Sequence, residues 1–288
     1  MLDVCLSSLA RYDAGESYIP IVLAGDEKAF SEAKEIASVL GTEVRFYDST
    51  LGATSSGRHA RMLDAALVDC KHEYFLTLDS DCFPVADGWI SGLMSLKYDV
   101  SGILWPWIPP SSEVGKGTIE WRLRRQHCWN NTQVACQILR TDVAREMGLK
   151  FGDKEGDDNN FGLMDKAHKA GMSVGGLMPS RCALPDDKGF DPEMNRQVCV
   201  VYGELVYHHG GASREKKGEM YVDDALFGTA RRKVMEMRGA EWILEEGQSH
   251  VYGMDREEEV AQFKMRMAYR DALTVLGTKS SLFGGGWV

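Results

Sequence analysis

Hydrophobic residues along this chain recur at two spacings, one typical of buried strands and the other typical of amphipathic helices. Short apolar runs that predict strands occupy residues 18–24, 44–47, 74–78, 100–105 and 134–139. Apolar residues three or four positions apart predict helices at residues 2–9, 30–40, 61–68, 89–96, 142–147 and 161–170. Strands that alternate with helices in this order predict an α/β domain with a parallel sheet and right-handed crossovers.

The last quarter of the chain has a different pattern, helical and rich in charges of both signs. It ends in a glycine-rich stretch that includes Gly284, Gly285 and Gly286. We therefore predict a domain at residues 1–213 followed by a helical extension at residues 214–288. The charges of the extension predict a solvated helix face, and its pattern indicates no chemistry.

Composition and charge argue against some classes of binding partner. The 288 residues carry a formal net charge of -10, which argues against a nucleic-acid or anionic-membrane surface. A phosphorylated ligand would need a metal ion or local Arg and Lys residues. No apolar run approaches the roughly 20 residues of a membrane span, so we predict no transmembrane segment and a cytoplasmic location. The seven cysteines include no C-x-x-C pair, which predicts core thiols rather than a disulfide framework or a zinc site.

The strand at 74–78 runs directly into Asp79, Ser80 and Asp81. Ligands of open α/β sheets bind outside the carboxyl ends of the strands, so both carboxylates are predicted to reach the binding crevice. If the chain stays extended until Pro84 ends the strand, the two carboxylates point to the same side. Two such oxygen ligands suit Mg²⁺ or Mn²⁺ carrying a diphosphate, and the alternative is a solvated turn.

Small polar residues fill positions 49–57, just before Arg58, His59 and Arg61. Such a loop lets backbone N–H groups approach an anion, so these three side chains are candidates for diphosphate contacts. They fit the solvated first turn of a helix equally well. The loop lacks the glycine patterns of P-loop and dinucleotide-binding proteins, and both of those classes are unsupported.

Two later segments add further candidates. Asp157 and Asp158 precede the helix predicted at 161–170, where a carboxylate either caps the helix or serves as a general base. Adjacent His208 and His209 end a short apolar strand. Neighbouring side chains on a strand face opposite ways, so at most one of these histidines is expected to reach a metal ion.

Four motifs in this order resemble the catalytic domain of a GT-A-fold glycosyltransferase, closest to the large inverting family 2 that uses nucleotide-diphosphate sugars. The motifs are Leu2-x-x-Cys5-Leu6-x-Ser8-Leu9, Asp79-Ser80-Asp81, Gly156-Asp157-Asp158 and His208-His209-Gly210-Gly211-Ala212-Ser213. The resemblance implies a Rossmann-like mixed sheet that is mainly parallel and flanked by helices. It covers about three quarters of the chain.

The resemblance also implies roles for individual residues. Asp79 and Asp81 form the D-x-D motif, with Asp81 the more direct ligand of Mn²⁺ or Mg²⁺ and His208 or His209 completing the metal shell. Asp158, ahead of Asp157, matches the catalytic base. Asp26 stands where the family has an acidic pair that contacts the donor. The predicted donor contacts are Asp26, Arg58, His59, Asp79 and Ser80.

The implied reaction transfers a sugar from a nucleotide-diphospho-sugar donor to an acceptor hydroxyl, on a carbohydrate or another molecule, with inversion. One alternative is a sugar-1-phosphate nucleotidyltransferase, which would need a glycine-rich basic loop after its first strand. The other is a nucleotide-sugar-binding protein without activity.

The first motif matches the helix that comes second in the family, so we expect the chain to start inside the domain, without the opening strand. The edge of the strand at 18–24 would then be uncovered, which predicts weak nucleotide binding and self-association. A strand at residues 1–6 is the alternative, because Leu2, Val4 and Leu6 also alternate. The helix is the preferred interpretation.

Overall fold

A computed structural model describes residues 1–39, 41–47, 55–104, 132–152, 160–177, 179–183, 190–191, 196–210, 224–237, 239, 242 and 244. Its helices are α1 (Leu2–Arg11), α2 (Glu27–Val39), α3 (Ser55–Asp69), α4 (Trp89–Ser95), α5 (Thr141–Glu146), α6 (Phe161–Lys169) and α7 (Asp224–Met237). The first six strands are β1 (Ile21–Ala24), β2 (Glu43–Phe46), β3 (Tyr74–Leu78), β4 (Cys82–Pro84), β5 (Val100–Leu104) and β6 (Thr132–Arg140). The others are β7 (Val174–Leu177), β8 (Pro179–Cys182), β9 (Phe190–Asp191), β10 (Arg196–Gln197), β11 (Val200–Tyr202) and β12 (Val206–His208).

The predicted α/β class is confirmed, with mixed sheets. The main sheet has the order β3-β6-β5-β7, and β1 pairs with β2 in a separate parallel pair. In the main sheet β3, β5 and β7 run in the same direction, and β6 lies antiparallel to its two neighbours, β3 and β5. The main sheet is thus mixed, as predicted, and the mainly parallel Rossmann-like arrangement stays a prediction.

A second sheet, not predicted, has the order β4-β12-β11-β8 and is antiparallel throughout. Pro84 was expected to end the strand that precedes it, but it belongs to β4, where it pairs with Val206. Proline is tolerated there because β4 is an edge strand among the described residues and needs ladder bonds on one side only.

The helix at the start of the chain is confirmed, since α1 covers Leu2–Arg11. Within the described ranges β1 is hydrogen-bonded to β2 and to no other strand. The expectation that the chain starts inside the domain stays a prediction.

The core consists of two clusters on opposite faces of the main sheet. Side chains alternate along β3, so that Leu76 and Leu78 pack against the first cluster and Phe75 packs against the second. The first cluster joins the second sheet to α1 and α4, and the second contains residues of α3 and α6. Helix α7 contributes Ala230 and Val234 to the first cluster, so this part of the predicted extension shares the core of the domain. The boundary at residue 213 lies outside the described residues.

Six described cysteines are free thiols. Five of them are buried, namely Cys5, Cys82, Cys136, Cys182 and Cys199, as predicted for core residues.

Over the residues that the structure describes, none of the helices is long and apolar enough to cross a membrane.

Candidate functional site

The D-x-D segment is a tight turn that carries the chain from one sheet to the other. Asp79 still belongs to the main sheet, where its N–H donates to the Ala135 carbonyl at 2.9 Å. The N–H of Cys82 then donates back to the Asp79 carbonyl at 2.9 Å, and β4 begins. The predicted extended conformation is wrong, because Asp and Ser at these positions favour a turn. The turn places both carboxylates at the junction of the two sheets.

Each carboxylate of the turn faces an imidazole from a distant part of the chain. Oδ1 of Asp81 lies 3.8 Å from Nε2 of His208, and these side chains are only 14% and 7% exposed. Oδ1 of Asp79 lies 3.5 Å from Nε2 of His59, in a more open setting. The structure thus brings together four of the predicted site residues, from the turn, β12 and α3.

The two adjacent histidines have different surroundings. The ring of His208 is directed at Asp81, as the distance above shows. The ring of His209 contacts Tyr207, whose hydroxyl oxygen lies 2.7 Å from His209 Nδ1, and the Cys199 thiol, whose sulfur lies 3.6 Å from the same nitrogen. The backbone N–H of His209 donates to the Asp81 carbonyl at 2.9 Å. His208 is therefore the histidine placed to share a ligand with Asp81.

Burial controls protonation in this part of the core. It lowers the pKa of His209 to about 4, against the opposing effect of the Asp81 carboxylate, and the charges of His208 and Arg231 lower that pKa further. Burial also raises the pKa of Tyr207 and the pKa of Cys199 well above their ordinary values. At neutral pH this cluster consequently holds a neutral imidazole, a phenol and a thiol.

A pH dependence of stability follows from His209. The unfolded chain takes up a proton on this imidazole near the ordinary pKa of 6.5, whereas the folded protein resists protonation until about pH 4. The contribution of His209 to the free energy of unfolding is thus complete above about pH 6.5 and falls by about 3 kcal/mol as the pH drops to about 4. Urea unfolding of the parent and of His209→Gln, in EDTA at about pH 7 and about pH 4.5, measures it. A smaller acid-induced loss is expected in the variant, and equal losses would contradict the assignment.

The remaining predicted residues are less closely connected to the turn. Arg58 is exposed near the start of α3, which begins at Ser55 and so includes the end of the loop predicted at 49–57. Asp26 is exposed, and its Oδ1 accepts the Ala29 N–H at 2.7 Å, which stabilises the start of α2. Ser80 is exposed in the turn. Asp157 and Asp158 lie outside the described residues.

Two further residues were not found from the sequence. Arg231 follows the core residue Ala230 on α7, and its charge reaches His209. Asn160, directly before α6, is buried, and its Nδ2 donates to the backbone carbonyl of Thr132 at the start of β6. The apolar spacing of residues 230 and 234 could have indicated a buried face beside Arg231. No feature of the sequence around Asn160 indicates its hydrogen bond to the Thr132 carbonyl.

The residues at this junction offer few ligands of their own for Mn²⁺ or Mg²⁺. Among the described residues no group of three or more His, Cys, Asp or Glu side chains is arranged to hold a metal ion. The 3.8 Å between Asp81 Oδ1 and His208 Nε2 is too long for a hydrogen bond, yet shorter than two metal–ligand bonds of about 2.1 Å placed end to end. One carboxylate and one imidazole suit an ion that takes its other ligands from water and a diphosphate, as Mg²⁺ commonly does.

No protein-family model matches the chain, and no curated protein shows significant similarity to it. The function is therefore inferred from the geometry of the junction between the sheets and from the resemblance of the motifs.

Proposed function

We propose that this protein transfers a sugar from a nucleotide-diphospho-sugar to an acceptor hydroxyl, with inversion, using Mn²⁺ or Mg²⁺. The observation that carries the proposal is the meeting of Asp81 and His208 at the junction of two sheets. A carboxylate and an imidazole so well buried require a reason to be there, because buried polar groups are costly unless they are paired or bind a ligand. A Rossmann-like arrangement of the GT-A type and a cytoplasmic location are parts of the same proposal.

Asp81 and His208 would hold the ion, with Asp79 close by. When bound, the ion supplies positive charge that neutralises the departing diphosphate. His59 faces Asp79 at 3.5 Å, so its ring is held where it can donate to a phosphate oxygen or to the ribose. Arg231 adds positive charge from α7, which a chain with a net charge of -10 needs near a diphosphate.

The proton of the acceptor hydroxyl would pass to a carboxylate in the segment that precedes α6. By the resemblance this base is Asp158, with Asp157 as the lesser candidate. Asn160 supports the assignment indirectly, because its bond to the Thr132 carbonyl fixes the residue before α6 to the start of β6. That end of β6 pairs with Leu104, the last residue of β5. Since β6 is antiparallel to β3, the same end of β6 lies toward the end of β3 that carries the D-x-D turn.

Thermal shift with a panel of nucleoside diphosphates tests the proposal most directly. UDP, GDP, CDP, ADP and dTDP are each added with Mn²⁺, with Mn²⁺ alone and with EDTA. We expect one nucleotide to raise the melting temperature only when the metal ion is present, since the two bind as one unit. The absence of a metal-dependent shift for every nucleotide would overturn the proposal.

Product analysis separates the proposed activity from its alternatives. The nucleotide-sugars of the selected base are incubated with the protein and Mn²⁺, without acceptor and then with candidate glycans. Release of nucleoside diphosphate supports a transferase, because water can replace the acceptor. Formation of pyrophosphate and sugar-1-phosphate-derived products supports a nucleotidyltransferase. Binding without turnover supports a binding protein.

A further inference from the structure

The buried cluster of Tyr207, His209 and Cys199 lies directly behind the candidate metal ligands. All three residues are 0% exposed. Strand β12 pairs with β4 through His208 and Cys82, and the next bond of the ladder runs from the His209 N–H to the Asp81 carbonyl. On its other side, the His209 carbonyl accepts the Cys199 N–H at 3.0 Å. His209 is thus the residue that joins Asp81 to the interior of the second sheet.

We propose that the Tyr207 hydroxyl and the Cys199 thiol act through the ring of His209 to position Asp81 and His208 for the diphosphate-bound cation. The inference rests on the proposed function. His209, Tyr207 and Cys199 are positioning residues in this proposal, and His208, whose Nε2 lies 3.8 Å from Asp81 Oδ1, is the direct ligand.

The geometry supports positioning rather than direct ligation. Nδ1 of His209 lies within 2.7 Å of the Tyr207 oxygen and 3.6 Å of the Cys199 sulfur, which fixes the rotation of the ring. The contacts of the ring restrain residue 209, whose backbone N–H donates to the carbonyl of Asp81 at 2.9 Å. The direction of this backbone also sets the position of His208, the preceding residue. Partners of this kind behind metal ligands commonly change metal affinity 10–100-fold when they are removed.

Cys199 has an unusual backbone conformation. Its φ is +60°, in the left-handed region that residues with a side chain rarely adopt. The conformation is sustained by backbone bonds on both sides, from Cys199 N–H to the His209 carbonyl and from Ala183 N–H to the Cys199 carbonyl. Such backbone strain is concentrated at functional sites in proteins. Here it brings the thiol against the ring of His209.

Two tyrosines provide a matched pair of variants. Tyr207→Phe removes the hydroxyl that contacts His209, and Tyr202→Phe removes the hydroxyl that accepts a bond from Gln133 Nε2 at 2.9 Å. Both tyrosines are fully buried in the same antiparallel sheet, so the two variants lose the same group from comparable surroundings. Their affinity for the Mn²⁺ complex of the nucleotide selected by thermal shift is measured by calorimetry.

We expect Tyr207→Phe to raise the Kd of that complex about 10-fold and Tyr202→Phe to change it less than about 2-fold. His209→Asn places an amide where Nδ1 was, whereas His209→Gln places it where Nε2 was, so Asn should preserve affinity better than Gln. These two variants keep the test open if Tyr207→Phe does not fold.

The outcomes distinguish the two proposals. If the parent binds the Mn²⁺ complex but Tyr207→Phe binds it as well as Tyr202→Phe does, the positioning role is refuted and the proposed function stands. Equal affinity of His209→Asn and His209→Gln would refute the role of Nδ1 in the same way. If the parent itself does not bind, both proposals fall together.

Discussion

Asp81→Ala is expected to abolish metal-dependent nucleotide binding while the fold stays intact. The carboxylate of Asp81 faces the imidazole of His208 at a distance of 3.8 Å, and both side chains are largely buried. The backbone carbonyl of residue 81, which accepts the His209 N–H, is kept in the variant. We therefore expect the Kd of the Mn²⁺–nucleotide complex to rise by at least about 100-fold, and the urea midpoint to change little.

Asp142→Ala is the matched control for Asp81→Ala. Asp142 is an exposed carboxylate paired with Arg140, and Arg140 pairs with Tyr74 at the end of β3 opposite to the D-x-D turn. The control removes one negative charge from the far edge of the same sheet, so nucleotide binding should be retained. Asp79→Ala should be nearly as damaging as Asp81→Ala, because its carboxylate also borders the site. An Asp81→Ala protein that bound like the parent would show that the site has been assigned to the wrong residues.

Local patterns predicted the larger elements well, because each of them has a face that the core must cover. The apolar run of β3 and the helical spacing of α1 were identified from the sequence and are present in the structure. The second sheet was not predicted, because its strands have three or four residues each and β4 pairs with β12 far along the chain. The sequence of β8, Pro-Ser-Arg-Cys, has no alternation of apolar and polar residues from which a strand could be predicted. The direction of a strand cannot be predicted from its local sequence either, as the antiparallel β6 shows.

The candidate site was predicted as a set of residues, and its geometry was not. Asp79, Asp81, His59 and His208 were all identified as candidates, and the structure places them in two carboxylate–imidazole pairs. Alternation of side chains limited the metal-facing histidine to one of two, but the choice of His208 depends on the register of β12 against β4. The turn at residues 79–82 was the less favoured alternative for this segment, although Asp and Ser are common in turns.

The final prediction concerns the general base. Asp158→Asn should keep donor binding but lower turnover about 10²–10⁴-fold, because the amide cannot accept the proton of the attacking hydroxyl. Asn has nearly the same size and still accepts hydrogen bonds, so a role limited to capping α6 would survive the change. Nucleoside diphosphate release from the donor, measured with Mn²⁺ against pH, provides the test. In the parent the rate should fall at acidic pH as the base becomes protonated, and in Asp158→Asn this dependence should be lost.

Asp157→Asn is the neighbouring control and is expected to be milder, since the resemblance places the base at the second carboxylate of the pair. Asn160→Ala removes the bond from Asn160 to the Thr132 carbonyl, and it should lower turnover without changing nucleotide affinity if residues 157 and 158 depend on that anchor. Thr132→Val keeps the carbonyl and loses only the contact of Oγ1 with Met164 Sδ at 3.6 Å, so its turnover should resemble that of the parent. Full activity of Asp158→Asn, with an unchanged pH profile, would return Asp158 to the role of a helix cap and leave the base to be found among other carboxylates.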